Sequence, residues 1–386
     1  MRLMRLAVLA DPLKWLLATA AVGLGLLACG DGGDGPITTT TQSNVTLTGD
    51  QEVPAVATGA LGSGSFSLQS PSRQLTGSIT LNGMTATVAH VHEGAVGVNG
   101  PAIVTLVETS PGVWTVPSGT VLTEAQAAAF ASGGLYVNAH NAAFPNGEIR
   151  GQIGREVFNT ALSGSQEVPP TPSLATGTGQ VVLDPVTRRI SARLTVSGMA
   201  ATMAHIHEGA AGVNGPILVH LTQTAPGSGI WVSAPDATFT EAHVAALRAG
   251  NLYFNAHSLA FPGGEIRGQI ARTVSFVTLS GAQEVPPTAS VATGTGTFVV
   301  DPLTRAASGS ITLTGMTATM AHVHQGPAGT NGPVIITLVN TSGNTWSVPA
   351  NTVLTAAQLQ AFKQGNLYYN AHSLAFPNGE IRGQIR

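Results

Sequence analysis

The chain has 386 residues, only 9% of them charged, and its formal net charge is −3. This balance offers no basic stripe, so we exclude nucleic-acid binding as a function class. A hydrophobic content of 43% supports folded cores. Length alone suggests roughly two to four domains. The single cysteine, Cys29, excludes a disulfide within the chain.

Residues 1–29 predict a lipoprotein signal peptide. Arg2, Arg5 and Lys14 provide a positive start, and an apolar run too short to span a bilayer comfortably follows. The run ends in Leu-Leu-Ala-Cys29, which resembles the lipobox of bacterial lipoproteins, a family in which this cysteine carries the lipid. The alternative is an ordinary secretory signal with an incidental cysteine.

The segment after the cysteine, residues 30–44, has the composition of a flexible tether between anchor and folded unit. We therefore expect an exported protein whose partner is the membrane, through an N-terminal lipid anchor. The expected location is the cell envelope, at the outer membrane and periplasm or at the cell surface.

Four phrases recur three times in the same order, and successive copies lie 115 to 117 residues apart. QEVP begins at Gln51, Gln166 and Gln283; the HVHEG-like phrase begins at His90, His205 and His322; NAH begins at Asn138, Asn255 and Asn370; and GEIRGQI begins at Gly147, Gly264 and Gly379. The repeat predicts three tandem domains, at residues 45–155, 157–272 and 274–386. Because the linkers are only a few residues long, we expect a short rod.

Short runs rich in β-branched residues and bounded by Gly, Pro and Asp turns predict an all-β fold. Examples are residues 190–196, 216–221 and 296–301. Their close spacing favours an antiparallel β-sandwich or barrel. One short helix interrupts each domain, with Thr123 and Gln126 forming a predicted capping box at the first.

Nine of the eleven histidines occupy three repeated positions: His90, His92 and His140; His205, His207 and His257; His322, His324 and His372. The two histidines of each His-x-His share one face of a strand, roughly 6.5–7 Å apart, so both side chains can reach one metal ion. The residues between them, Val91, Ile206 and Val323, are predicted to face the core. Three imidazoles favour copper or zinc.

Two simpler interpretations stay open. Each histidine pair can instead hydrogen-bond the following loop, residues 94–100 in the first domain. Met203 and Met320 share the histidine face and are interpreted as packing residues.

A glutamate and an arginine recur two residues apart near the end of each domain. The arginines are Arg150, Arg267 and Arg382. One interpretation is that each glutamate and arginine form an ion pair on the same face of an exposed edge strand. The other is that the arginine lies beside the histidines and attracts an anion toward them.

The combination of QEVPP, HVHEGxxGxNGP and NAHxxxFPxGEIRGQI resembles the CHRD domain, named for the chordin proteins. The resemblance covers residues 45–386 as three domains. It implies an extracellular module in a binding or interaction protein.

A more distant likeness is to Cu/Zn superoxide dismutase, and it implies a Greek-key sandwich. His90, His92 and His140 are similar to that family's copper ligands, and Arg150 is similar to its anion-guiding arginine. The same holds for the equivalent residues of the other two domains. The bridging histidine, the other zinc ligands and the disulfide cysteines of that family are absent from the sequence. In addition, Gln325 replaces the glutamate of the third copy.

These observations predict a lipid-anchored, non-enzymatic binding protein with a copper site, or alternatively a zinc site, in each domain. No catalytic residue is assigned. A copper-dependent, dismutase-like redox enzyme and a periplasmic copper carrier are the alternatives. Because of Gln325, the third domain is expected to differ most.

Overall fold

A computed structural model describes residues 38–386. The predicted signal peptide, the predicted lipidation site Cys29 and residues 30–37 of the predicted tether lie outside the described residues. Three antiparallel sheets follow one another along the chain, which confirms the all-β prediction of three tandem units. We call these units the first, second and third modules.

The first module contains β1 (Thr39–Thr48), β2 (Leu61–Ser70), β3 (Leu75–Asn82), β4 (Val88–Glu93), β5 (Ala102–Thr105), β6 (Val107–Ser110), β7 (Val113–Thr115), α1 (Glu124–Ser132), β8 (Leu135–His140) and β9 (Ile149–Gln152). The second contains β10 (Glu156–Ser163), β11 (Thr176–Leu183), β12 (Ile190–Ser197), β13 (Met203–Glu208), β14 (Ile217–Gln223), β15 (Ile230–Val232), α2 (Glu241–Arg248), β16 (Leu252–His257) and β17 (Ile266–Gln269). The third contains β18 (Thr273–Ser280), β19 (Thr293–Val300), β20 (Ala307–Thr314), β21 (Met320–Gln325), β22 (Val334–Thr337), β23 (Val339–Ser342), β24 (Thr345–Ser347), α3 (Ala356–Lys363), β25 (Leu367–His372) and β26 (Ile381–Ile385).

The second module is a closed barrel with the strand order β10-β11-β12-β15-β14-β13-β16-β17, and β17 pairs back with β10. Strands β13 to β16 form a Greek key, because β16 returns to lie beside β13. The other two modules have nine strands in the corresponding order. Their extra strand arises where buried Leu106 or Leu338 divides the equivalent of β14 into two short strands.

Each module has its own hydrophobic core, formed by the inward faces of its strands. Val91, Ile206 and Val323 are fully buried in these cores, as their alternation with the histidines predicts. The neighbouring histidines therefore lie on the opposite face of the strand.

The helices lie where the capping signals predict them. Thr123 Oγ1 accepts a hydrogen bond from the Gln126 amide, and the Gln126 side chain accepts one from the Thr123 amide. Gly133 ends α1 in the left-handed conformation. Among residues 38–386, no helix has the length and apolar character needed to cross a membrane.

The first strand begins earlier than the tether prediction allows. Thr39 to Thr48 pair continuously with β2, so residues 39–44 belong to the sheet. The run of threonines there is β-branched and suits a strand, although its polar composition is equally typical of a linker.

The modules do not form a rod, and that prediction is wrong. Lys363 of the third module lies 3.0 Å from the Asp50 carboxylate of the first, and Asn159 of the second donates to the Asp50 carbonyl at 2.7 Å. Asp50 therefore contacts both other modules. The first and third modules also meet where Gly59 lies directly against the backbone of Ala356.

Gly59 is predicted to be required for this closed arrangement, because a Cβ there would lie 1.8 Å from the Ala356 carbonyl oxygen. The equivalent residues, Leu174 and Val291, are 96% and 92% exposed. Replacing Gly59 with Leu should separate the first and third modules and increase the radius of gyration measured by small-angle X-ray scattering. Gly263→Leu, at a site with open space, is the matched control. An unchanged scattering curve for Gly59→Leu would contradict the arrangement.

Candidate metal centre

The outward face of two neighbouring strands carries the candidate site. In the first module β4 contributes His90 and His92, and β8 contributes His140. Cross-strand pairing places His92 opposite Tyr136 and His90 opposite Asn138. The sequence alternation that buries Val91 thus places all three histidines on one side of the sheet.

In every module the three predicted histidines converge, each with one ring nitrogen within 4.8 Å of the others. In the first module, the His90 and His140 ring centroids are 5.2 Å apart, and those of His90 and His92 are 5.6 Å apart. The second and third modules repeat these distances to within about 0.2 Å. The histidines are half-buried or buried, so only a small ligand can reach them.

Backbone carbonyls set the tautomers of two histidines. His92 Nδ1 lies 2.9 Å from the Gly100 carbonyl oxygen, and His140 Nδ1 lies 3.1 Å from that of Pro145. A carbonyl only accepts, so in each neutral ring the proton is on Nδ1 and Nε2 carries a lone pair. Nδ1–carbonyl contacts of this kind are typical of histidines that bind metal through the other nitrogen.

The free nitrogen of the second histidine has no partner. Nε2 is buried without a hydrogen bond in His92, His207 and His324. A buried polar atom without a partner costs free energy, and a metal ion on this nitrogen would remove that cost in each module.

The donor set fits a late first-row metal ion. His90 Nδ1 and His140 Nε2 are 3.3 Å apart, close to the separation of two nitrogens bound at about 2.0–2.1 Å with a near-tetrahedral angle. Imidazole nitrogens suit copper and zinc. His90, His92 and His140, with their equivalents, can therefore hold such an ion.

An aromatic stack supports the second histidine. The His92 ring is stacked on Tyr136 with a centroid distance of 4.8 Å and an angle of 10°. The Arg150 guanidinium carbon lies 3.5 Å from the centroid of the same tyrosine ring. The other modules repeat this stack with Arg267, Tyr253 and His207, and with Arg382, Tyr368 and His324.

The structure places the predicted anion-guiding arginines beneath the loop that follows the histidine strand. Arg150 is only 1% exposed and donates to the carbonyls of Ala95 and Val98 and to the Asn99 side chain, all at 3.0 Å. Arg267 and Arg382 are equally buried and bind the corresponding loops. These contacts hold the loop, and an anion-guiding role stays a prediction.

The alternative of a same-face ion pair on an exposed edge is wrong. Glu148 is 5% exposed and accepts hydrogen bonds from the Thr58 hydroxyl and the Asn141 amide. Among residues 38–386, neither Arg150 nor Glu148 forms a salt bridge. Both side chains are buried because the loop and the QEVP segment cover this face of the sheet.

Sequence reasoning missed the glutamate of the QEVP phrase. Glu52 is 7% exposed and Asn138 is its side-chain hydrogen-bond partner; the Asn138 Oδ1 lies 2.9 Å from His140 Nε2. Glu167 and Glu284 repeat the contact with Asn255 and Asn370. The threefold recurrence of QEVP was the signal that could have identified this residue.

Burial shifts the pKa values of the glutamates and of the histidines. Burial raises the pKa of Glu52 and Glu167 to about 7, although the neighbouring arginine opposes the shift. Burial also lowers the pKa of His90 and His140, and it lowers that of His205 to about 4. The neutral imidazole that metal binding requires is therefore the main form of these three histidines at neutral pH.

Two methionines that are predicted to be packing residues lie at the surface. Met203 and Met320 lie opposite the third histidine of their modules but are 47% and 44% exposed. Neither methionine therefore belongs to a hydrophobic core.

Comparison with known protein families matches the CHRD domain to residues 43–153, 158–270 and 276–385. The chain belongs to the CHRD domain family. The predicted resemblance to this family, in three tandem copies, is thereby confirmed. No curated protein matches the chain. Each CHRD module here carries one histidine triad and one buried arginine–tyrosine–histidine stack.

The glutamates of the CHRD modules should make metal-free stability depend on pH. A folded-state pKa near 7, above the ordinary 4.5, means that their stabilising contribution is present below pH 4.5 and lost as pH rises through about 7. Glu52→Gln and Glu167→Gln together should reduce the loss of unfolding free energy between about pH 5 and 8, by on the order of 1–3 kcal/mol per site.

Urea unfolding with a chelator present measures this difference, and exposed Glu124→Gln is the control. The histidines act in the opposite direction, because lowered pKa values remove stability as pH falls from 6.5 toward about 4. An identical decline above pH 6 in the double variant and the unaltered chain would contradict the assignment.

Proposed function

We propose that this chain is an exported, lipid-anchored envelope protein whose three CHRD modules act as binding units, each holding one metal ion. The observation that carries the proposal is the buried, unpartnered Nε2 of His92, His207 and His324, each on a histidine that converges with two others. A purely structural histidine would use both ring nitrogens or expose one to water.

Copper is the proposed metal, with zinc as the alternative. The donors are three imidazoles, and the only cysteine of the sequence, Cys29, is assigned to lipidation. This donor set excludes thiolate-rich sites and favours a late divalent ion. When bound, copper would supply one-electron redox chemistry, while the protein's residues bind it, fix the imidazole orientations and limit access of water.

The tight cover over the site favours binding over catalysis. In each module a loop lies across the histidine strand, and the arginine that could attract an anionic substrate is bound to that loop. A dismutase-like redox enzyme and a copper carrier remain the alternatives. If copper binds, a superoxide dismutation assay distinguishes the enzyme from the carrier. Activity no greater than that of free copper would reject the enzyme hypothesis.

The first test is metal stoichiometry. The purified full chain, titrated with Cu(II), should bind about three ions with a visible absorption band. Binding should be lost when His92, His207 and His324 are together replaced by alanine, because each replacement removes one of three ligands. His243→Ala, on helix α2 and outside the triads, is the control. No binding above background would contradict the metal function.

The second test concerns the anchor. Cells grown with a fatty-acid analogue should incorporate the label into the chain, and Cys29→Ser should abolish incorporation, because the lipobox cysteine is the predicted acceptor. The triple histidine variant should stay labelled. Label retained after Cys29→Ser would refute lipidation at this residue without affecting the metal proposal.

A further inference from the structure

The second module has a fourth histidine beside its triad. His220 lies on β14, directly opposite His205 on β13. Their ring centroids are 4.9 Å apart and nearly perpendicular, at 86°. The same register position holds Thr105 in the first module and Thr337 in the third. The extra imidazole is therefore specific to one of three otherwise matching sites.

The spacing fits two imidazoles on one ion. With metal–nitrogen bonds of about 2.0–2.1 Å, two ligand rings have centroids roughly 4.5 Å apart at a right angle and 6.4 Å apart when opposite. The 4.9 Å between His220 and His205 falls in this range, as does the 5.0 Å between His205 and His257.

His220 lies at the surface beside the triad. Its side chain is exposed, whereas His205 is only 5% exposed. The ring nitrogens of the triad already converge within 4.8 Å without it. Because His220 and His205 lie directly opposite each other on neighbouring strands, their side chains share one face of the sheet, and a change of the His220 rotamer would bring its ring onto an ion held by the triad.

We propose that His220 is a fourth ligand for a divalent copper or zinc ion in the second module, which makes this site a four-imidazole centre beside two three-imidazole centres. This inference rests on the proposed metal function. It adds a difference in the second module to the one that Gln325 predicts for the third.

The neighbouring methionine does not account for the difference. Met203 in the second module and Met320 in the third lie opposite the third histidine of each site. The candidate ligands of the second and third modules differ at the residue opposite the first histidine, which is His220 in the second module and Thr337 in the third. The third module is thus a natural control for the second.

The test isolates the second site in the full chain by replacing His92 and His324 with alanine. In this background His220→Thr, which installs the residue of the other modules, should weaken Cu(II) binding about tenfold or more in a competition titration, since loss of an outer-shell partner already costs that much. The electron paramagnetic resonance spectrum should change from four coupled nitrogens to three.

The reciprocal variant tests whether a histidine at this position adds a ligand in the third module. With the third site isolated by replacing His92 and His207 with alanine, Thr337→His should strengthen binding and add a fourth coupled nitrogen. Unchanged affinity and spectra in both backgrounds, with copper still bound, would overturn the role of His220 and leave the triads intact. If neither isolated site binds copper, the proposed metal function itself fails, and the inference fails with it.

Discussion

The buried guanidinium beneath the loop of each module is the constraint on which the site depends. Arg150 has no carboxylate partner within 4 Å among the described residues, so its charge is compensated by loop carbonyls and by the face of Tyr136. Leaving such a charge without these partners would cost several kcal/mol. The loop and the tyrosine are therefore fixed together. Because His92 is stacked on that tyrosine, its ring orientation is fixed by the same contacts.

Repetition of the module has not made the three copies equivalent. The contacts that depend on the buried arginine are the same in all three, whereas positions at the edge of the site and between modules vary. His220 replaces a threonine beside one triad, and Gly59 replaces the exposed Leu174 or Val291 where the first module meets the third. Internal contacts resist change because each involves several buried partners. Exposed positions accept changes that alter donor sets or module contacts at little cost in stability.

The sequence was sufficient for features that depend on local periodicity. Strand alternation placed Val91 in the core and His90 and His92 on one face, and the capping pattern located helix α1. Contacts between segments distant in the sequence could not be predicted in this way. Glu52 meets Asn138 only because the QEVP segment folds over the last strands, and Lys363 meets Asp50 across 313 residues. Arg150 beside Glu148 suggested an ion pair, but each finds better partners elsewhere in the fold.

The structural and metal-binding interpretations of the histidines are not exclusive. His92 does hold the loop, through Nδ1 and the Gly100 carbonyl, as the simpler interpretation requires. That bond uses one nitrogen and fixes the proton there, so the second nitrogen is left as a lone pair. Since Nε2 is buried beside His90 and His140, the loop contact itself prepares a ligand for a metal ion. The fold thereby orients the ring in advance, which would reduce the entropy lost if an ion binds.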